Sequence, residues 1–372
     1  MNIKFLDLNR QYQALKHEMN CAALNVLESG QFILGPQVAA FEKDFATFLD
    51  ARYAVGCASG TDALELALAA LDLQPEDEVI TTPMTYVAST EAIHHIGAKI
   101  VFVDIDEKTY NINPDLIEEK INACTKVILP IHLFGQAAAM TEVRGIATKH
   151  NLKTVGDAAQ AVGSRWENRD VGTLATLSTY SFYPSKNLGG CGDGGMIATQ
   201  DEKLFHKLRQ LRHHGRSTKP YEYEIRGRNS RLDSLQAALL HVKLPHLQEW
   251  NDGRRQKASH YNKLLSTIPE VVTPFEDESA FHVYHAYCIG AKNRDQLKKH
   301  LFENGIETNI YYPLPLHLQP IYKNLGYARG DFPVTEKICD EILALPIYPE
   351  LANNEIEYVV DKIKQFYRFN KK

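Results

Sequence analysis

The chain has 372 residues and a formal net charge of −5, from 41 Lys and Arg against 46 Asp and Glu. Apolar residues make up 44% and charged residues 23%, which excludes a disordered chain, a collagen-like repeat and a small disulfide scaffold. The acidic balance leaves no footprint for nucleic acid, and no stretch reaches the roughly 20 apolar residues of a membrane span.

The opening segment MNIKFLDLNRQY lacks the apolar core of a signal peptide, so a cytoplasmic protein is expected. From there, β-rich runs predict strands at Tyr53–Ala58, Glu78–Thr81, Lys99–Asp104, Lys126–Phe134, Lys153–Gly156, Leu177–Phe182 and Met196–Thr199. Several are nearly continuous apolar runs (IVFVDI, VILPIHLF), as in parallel strands covered on both faces. Helical patterns at Thr61–Leu73, Pro83–Ile96, Pro114–Ala123 and Thr141–His150 alternate with them, which predicts one large α/β domain. Beyond Leu232 the pattern changes. A long helical stretch, Leu232–Leu265, is interrupted only by Pro245. The strand candidate HVYHAYCIGA follows, then a helix over Arg294–Asn304 closed by Gly305, and a last helix over Asn354–Tyr367. The expectation is a large domain over residues 1–245 and a smaller α+β domain over 246–372, with Lys371 and Lys372 as solvated cations at a helix C-terminus.

Open α/β sheets bind ligands at the carboxyl ends of their strands, and three such places carry chemistry. Cys57-Ala58-Ser59-Gly60-Thr61-Asp62 joins a strand to a helix, so its backbone N–H groups offer an anion site. It equally supplies an N-cap from Ser59, Thr61 or Asp62, and Asp62 would repel a phosphate. Asp157 ends an apolar strand in Gly156-Asp157-Ala158-Ala159-Gln160, where an N-cap is again the plain alternative. In SFYPSKNLGGCGDGG, Lys186 leaves a strand into a loop with five glycines in positions 189–195. Those glycines lead into a strand, so they make neither a dinucleotide fingerprint nor a Walker A motif. Together the three sites suit pyridoxal 5'-phosphate, which needs a lysine for its Schiff base, an acid beside its ring nitrogen and an anion cradle for its phosphate.

The order SGTDAL, GDAAQ, SFYPSKNLG…GDGG, NSRLD and YYPLPLHLQP resembles the DegT/DnrJ/EryC1/StrS family of sugar aminotransferases over essentially the whole chain. The resemblance implies the fold type I architecture of pyridoxal phosphate enzymes and a homodimer with shared active sites. By position, Lys186 resembles the Schiff-base lysine, Asp157 the partner of the ring nitrogen, and Gln160 the residue bound to the ring's phenolic oxygen. Tyr86 matches the aromatic stacked on the ring, with ordinary core as the alternative. Gly60, Thr61 and Ser181 resemble phosphate ligands, and Asn229 the phosphate ligand from the neighbouring subunit, unless Asn229-Ser230 simply caps the next helix. Keeping Lys186, where dehydratases of the family carry histidine, implies transamination.

The implied reaction moves an amino group from L-glutamate to a keto-sugar on a nucleotide. SFYPSKNLG followed by GDGG is more like the 3-keto branch, and GCASGTDAL, EVITTP and VDIDEKTYNI are closest to enzymes making UDP-2-acetamido-3-amino-glucuronate. Arg231 would then pair with the sugar carboxylate. Tyr311 of Tyr311-Tyr312-Pro313 stands where those enzymes typically carry histidine, which keeps a dTDP-3-keto-6-deoxyhexose as an alternative, beside a 4-keto sugar and a non-catalytic regulatory role. The scattered cysteines and the paired histidines His94-His95 and His213-His214 have no metal-ligand spacing, so no metal is expected.

Overall fold

A computed structural model describes residues 1–369, so Lys371 and Lys372 lie outside the described residues. In chain order the strands are β1 (Tyr53–Cys57), β2 (Glu78–Thr81), β3 (Lys99–Phe102), β4 (Thr125–Ile128), β5 (Lys153–Asp157), β6 (Arg165–Trp166), β7 (Arg169–Asp170), β8 (Leu177–Ser181), β9 (Gly195–Thr199), β10 (Val271–Val272), β11 (Ala280–Phe281), β12 (Tyr287–Ala291) and β13 (Ile342–Leu345). Seven form one sheet in the order β1-β9-β8-β5-β4-β2-β3. All its pairs are parallel except the two made by β9, which runs antiparallel between β1 and β8. Strands β8 and β9 are buried along their whole length, β9 (GMIAT) with mostly apolar and small residues and β8 (LSTYS) with mostly hydroxyl-bearing ones.

The helices Gly60–Ala70, Ala88–His95 and Met140–Lys149 connect or flank the parallel strands. This winding brings the ends of β1, β2, β4, β5 and β8 to one edge of the sheet, together with the loop that turns from β8 into β9. A second core, containing Tyr261, Leu265, Ile289, Leu343 and Ile356, packs the sheet β10-β12-β13 against the helices Leu247–Leu265, Arg294–Glu303 and Asn353–Phe369. No described helix is long and apolar enough to cross a membrane.

Several expected elements are shorter, each for a local reason. Pro114–Ala123 forms two 3-10 turns, Pro114–Leu116 and Glu118–Lys120, because Ile121 is already extended. The helix expected from Pro83 starts at Ala88, leaving residues 83–87 as a loop. Strand β4 stops at Ile128, since Pro130 has no N–H for the ladder and Phe134 has a φ of 56°. The stretch Leu232–Leu265 divides at a 3-10 turn, Leu244–His246, built on Pro245. Of HVYHAYCIGA only Tyr287–Ala291 is strand, because Tyr284 takes a φ of 44°.

The turn from β8 into β9 is packed with no room to spare. A Cβ on Gly195 would meet the Ser59 carbonyl oxygen, and one on Gly189 would meet that of Pro184, both being backbone atoms. Gly195→Ala is therefore expected to destabilise the protein by at least about 2 kcal/mol, read as a fall in the urea midpoint. An unchanged midpoint would show that the backbone can move aside.

Candidate active site

A cleft of about 480 Å³ opens at this sheet edge. It is lined by nine of the residues singled out in the sequence: Gly60, Thr61, Tyr86, Asp157, Gln160, Ser181, Lys186, Tyr311 and Tyr312. They come from strand ends, a helix start and loops up to 252 positions apart in the chain, and the doubly wound sheet is what brings them together.

Asp157 ends β5 and is buried. Its Oδ2 accepts the Ser89 hydroxyl at 2.8 Å, and its Oδ1 accepts the Ala159 N–H at 3.1 Å. Thr85 stands behind Ser89, with the two hydroxyl oxygens 3.0 Å apart. Burial pushes the carboxyl's pKa up, against these hydrogen bonds and the Lys186 charge. Lys186 emerges from the β8–β9 loop into the same cleft, and burial pushes its pKa down to about 8, partly offset by Asp157. A lysine so poised is a free amine far more often near neutral pH than a surface lysine.

The helix Gly60–Ala70 starts at the cleft wall. Ser59 is its N-cap, its Oγ accepting the Asp62 N–H at 3.0 Å. The first-turn N–H groups of Gly60 and Thr61 keep no bond inside the helix. A Cβ on Gly60 would come within 2.7 Å of the Ser181 Cβ, so glycine lets the Ser181 hydroxyl stand beside these donors. The cap and the N–H groups open to an anion therefore fall on different residues. Gln160 accepts the Phe134 N–H on Oε1 at 2.7 Å and donates Nε2 to the Tyr312 hydroxyl at 3.1 Å. Tyr86 is 60% exposed, so it is not core, and its ring centroid lies 6.3 Å from that of Tyr312.

Two candidates lie elsewhere. Asn229 is exposed and pairs with His213 as an isolated bridge, and Arg231 reaches the same histidine, its Nη1 3.3 Å from His213 Nδ1. Neither lines this cleft. The segment that carries them is tied down by the Arg228–Glu65 ion pair and by the Ser230 hydroxyl, which accepts the Ala58 N–H at 3.2 Å.

Sequence reasoning missed Ser89, His132, Tyr183 and His285, all at the cleft. His132 is fully buried. Its Nδ1 accepts the Ala138 N–H at 3.0 Å, which puts the proton on Nε2, a buried donor without a partner. Burial pushes its pKa down to about 3, so it stays neutral. An orphaned donor beside a buried carboxylate, a lysine of lowered pKa and open helix N–H groups fit a planar, phosphorylated pyridine. Among the described residues, no group of three or more His, Cys, Asp and Glu is placed to hold a metal ion.

Sheet order, the lysine loop and the facing carboxylate define a fold type I pyridoxal phosphate enzyme. Residues 13–364 match the DegT/DnrJ/EryC1/StrS aminotransferase family, and the chain belongs to it. It is 47% identical to the pleiotropic regulatory protein of Geobacillus stearothermophilus over 99% of both chains. It is 42% identical to the dTDP-3-amino-3,6-dideoxy-alpha-D-galactopyranose transaminase of Aneurinibacillus thermoaerophilus, covering 98% of this chain and 99% of that one. Identity is 38% to the UDP-2-acetamido-2-deoxy-3-oxo-D-glucuronate aminotransferase of Pseudomonas aeruginosa, over 96% and 98%. The crystal structure of S. venezuelae DesV in complex with a ketimine intermediate superposes with a TM-score of 0.96 at 39% identity, covering 98% of both chains. The protein is an aminotransferase, and its cofactor is pyridoxal 5'-phosphate.

Proposed function

We propose that this enzyme transfers the amino group of L-glutamate to C-3 of a nucleotide-linked 3-keto sugar. The observation that carries the reading is the placing of Lys186 and Asp157 in one cleft beside the open N–H groups of Gly60 and Thr61. When bound, the cofactor supplies an electron sink that makes the carbon bearing the amino group acidic. In this reading the neutral amine of Lys186 would take up that proton at Nζ and hand it back during the transfer. The Asp157 carboxylate keeps the ring nitrogen protonated. Ser181, Gly60 and Thr61 would hold the phosphate, Tyr86 would contact the ring, and Gln160, whose Nε2 donates to Tyr312, would serve the phenolic oxygen. Amination at C-3 is supported by the GDGG loop and by the two transaminases named above, both of 3-amino or 3-oxo sugars.

Among the described residues that line the cleft, Lys186 is the only Lys or Arg. Holding a cofactor phosphate, the donor's carboxylates and a sugar diphosphate requires more positive charge than that. We infer that a second copy of the chain supplies it, with Asn229 reaching the cofactor phosphate and Arg231 the sugar. A carboxylated sugar such as UDP-2-acetamido-2-deoxy-3-oxo-glucuronate suits Arg231. A dTDP-3-keto-6-deoxyhexose is the second reading, favoured by Tyr311 and by the lack of a second Lys or Arg among the described residues of the cleft.

Incubation with glutamate and a panel of 3-keto and 4-keto nucleotide sugars, with products identified by mass and NMR, tests the reading. A 3-amino product is expected, and a 4-amino product from a 4-keto sugar alone would contradict it. Arg231→Ala is expected to raise KM for the carboxylated sugar about 10- to 100-fold more than for the 6-deoxyhexose. Equal effects on both would assign Arg231 to a group they share, the diphosphate.

A further inference from the structure

His285 lines the cleft without a part in the reaction just described. Its surroundings hold it in one orientation and one tautomer. It follows Tyr284, a bulky residue at a φ of 44°, a conformation that persists only where neighbours enforce it. Arg254 on the helix Leu247–Leu265 is buried and donates to the carbonyl oxygens of Tyr284 (3.2 Å), His285 (3.3 Å) and Ile347 (3.0 Å). The imidazole Nδ1 lies 3.3 Å from Asn187 Oδ1. Asn187 uses its own Nδ2 on Asn251 Oδ1 (2.8 Å) and the Val283 carbonyl (3.1 Å), and Asn251 in turn donates to the Val162 carbonyl at 3.0 Å. Asn187 Oδ1 is therefore an acceptor, and His285 Nδ1 carries the proton. Nε2 is left as a bare lone pair.

We infer that His285 is the positioning residue of Lys186, its Nε2 accepting one N–H of the free lysine amine and so aiming the amine's lone pair at the carbon to be deprotonated. The inference rests on the reading of Lys186 as the group that moves the proton. Asn187 follows Lys186 in the chain, so the side chain that fixes the tautomer also ties the imidazole to the lysine's loop. The charged groups acting on the pair are Lys186 and Arg254 on the imidazole and Asp157 on the lysine, with Asp193 lining the same cleft. Burial first, then the two cations, keep the imidazole neutral well below the usual histidine range. It therefore remains an acceptor at the pH where Lys186 gives up its proton.

Two substitutions separate this role from mere packing. His285→Asn keeps an N–H where Nδ1 stood, and so the bond to Asn187, but loses the acceptor at Nε2. His285→Gln carries an amide oxygen to the Nε2 position and loses the bond to Asn187. In single turnovers with glutamate, followed by the decay of the bound cofactor's visible band, H285N is expected to be about 100-fold slow and H285Q within about tenfold of the parent. In cofactor-free protein, the pH midpoint for acetylation of Lys186, read by peptide mass spectrometry, is expected to fall by about one unit in H285N and less in H285Q. An asparagine variant as fast as the glutamine variant, or an unmoved midpoint, would overturn the inference. A visible band that survives Lys186→Ala would instead overturn the reading on which it rests.

Discussion

Lys186→Ala is expected to abolish the visible band of the bound cofactor and to lower turnover by about 10⁴-fold or more, since the proposed attachment point and the proposed proton carrier would be lost together. The size of the effect follows from where the amine sits. With its pKa pushed down to about 8, roughly a tenth of the lysine is neutral at pH 7. An ordinary lysine near 10.5 is neutral in only about three molecules in ten thousand. Cofactor capture by the parent protein should accelerate as pH rises toward 8 and then level off. The same shift fixes the sign of the stability effect. Folding releases the proton from this lysine between about pH 8 and 10.5, so its burial destabilises the cofactor-free protein most below pH 8, and the cost fades as the pH rises. Cofactor-free Lys186→Ala should therefore melt no lower than the parent at pH 7, with the two curves converging at higher pH. A variant that kept its colour and half its rate would contradict the assignment.

The second large effect is expected from Asp157→Asn, with turnover falling about 10²- to 10⁴-fold while the protein stays folded. Opposite unit charges about 4 Å apart attract by about 4 kcal/mol at an effective dielectric of 20. That corresponds to roughly three pKa units on a ring nitrogen. Asparagine loses the attraction but keeps the shape. Its oxygen still accepts the Ala159 N–H, and its amide still reaches the Ser89 hydroxyl. Because burial already works against the Asp157 charge, the neutral side chain should not destabilise the cofactor-free fold. Stopped-flow kinetics with glutamate and a melting curve read both halves of the expectation. Near-normal turnover would mean that another acid protonates the ring nitrogen.

Much of this was legible in the chain because its signals are local. β-rich runs, several of them continuously apolar, marked β1 to β5, β8 and β9, and residues at or just past the ends of β1, β5 and β8 line the cleft. What the pattern hid depended on tertiary context. The antiparallel insertion of β9 has no local sign, since a strand buried on both faces reads the same in either direction. The helices Leu8–Ala14, Lys16–Ser29 and Pro36–Phe48 went unread, the first two with few or no buried residues and so no clear apolar stripe. The helix Pro333–Glu341 and strand β13 directly after it were missed for a different reason: no turn separates the two periods.

At the site, the motif residues were found because their types matched a cofactor's needs. Their supports were not. Ser89 looked like an ordinary helix residue until Asp157 was seen to sit on it, 68 positions away in the chain. His132 and His285 lay inside runs that read as strands. The faint cue was a proline, Pro130, that cannot sit in a central strand, and a polar histidine amid apolar neighbours. Asn229 and Arg231 were recognisable by motif, yet one chain does not bring them to its own cleft.

The role proposed for Lys186 is to carry the cofactor covalently. Borohydride reduction of the holoprotein, followed by proteolysis and peptide mass spectrometry, tests it most directly. A single reduced cofactor adduct is expected, on the peptide that contains Lys186. An adduct on any other lysine, the buried Lys243 for example, would contradict it, as would a coloured protein that yields no adduct at all.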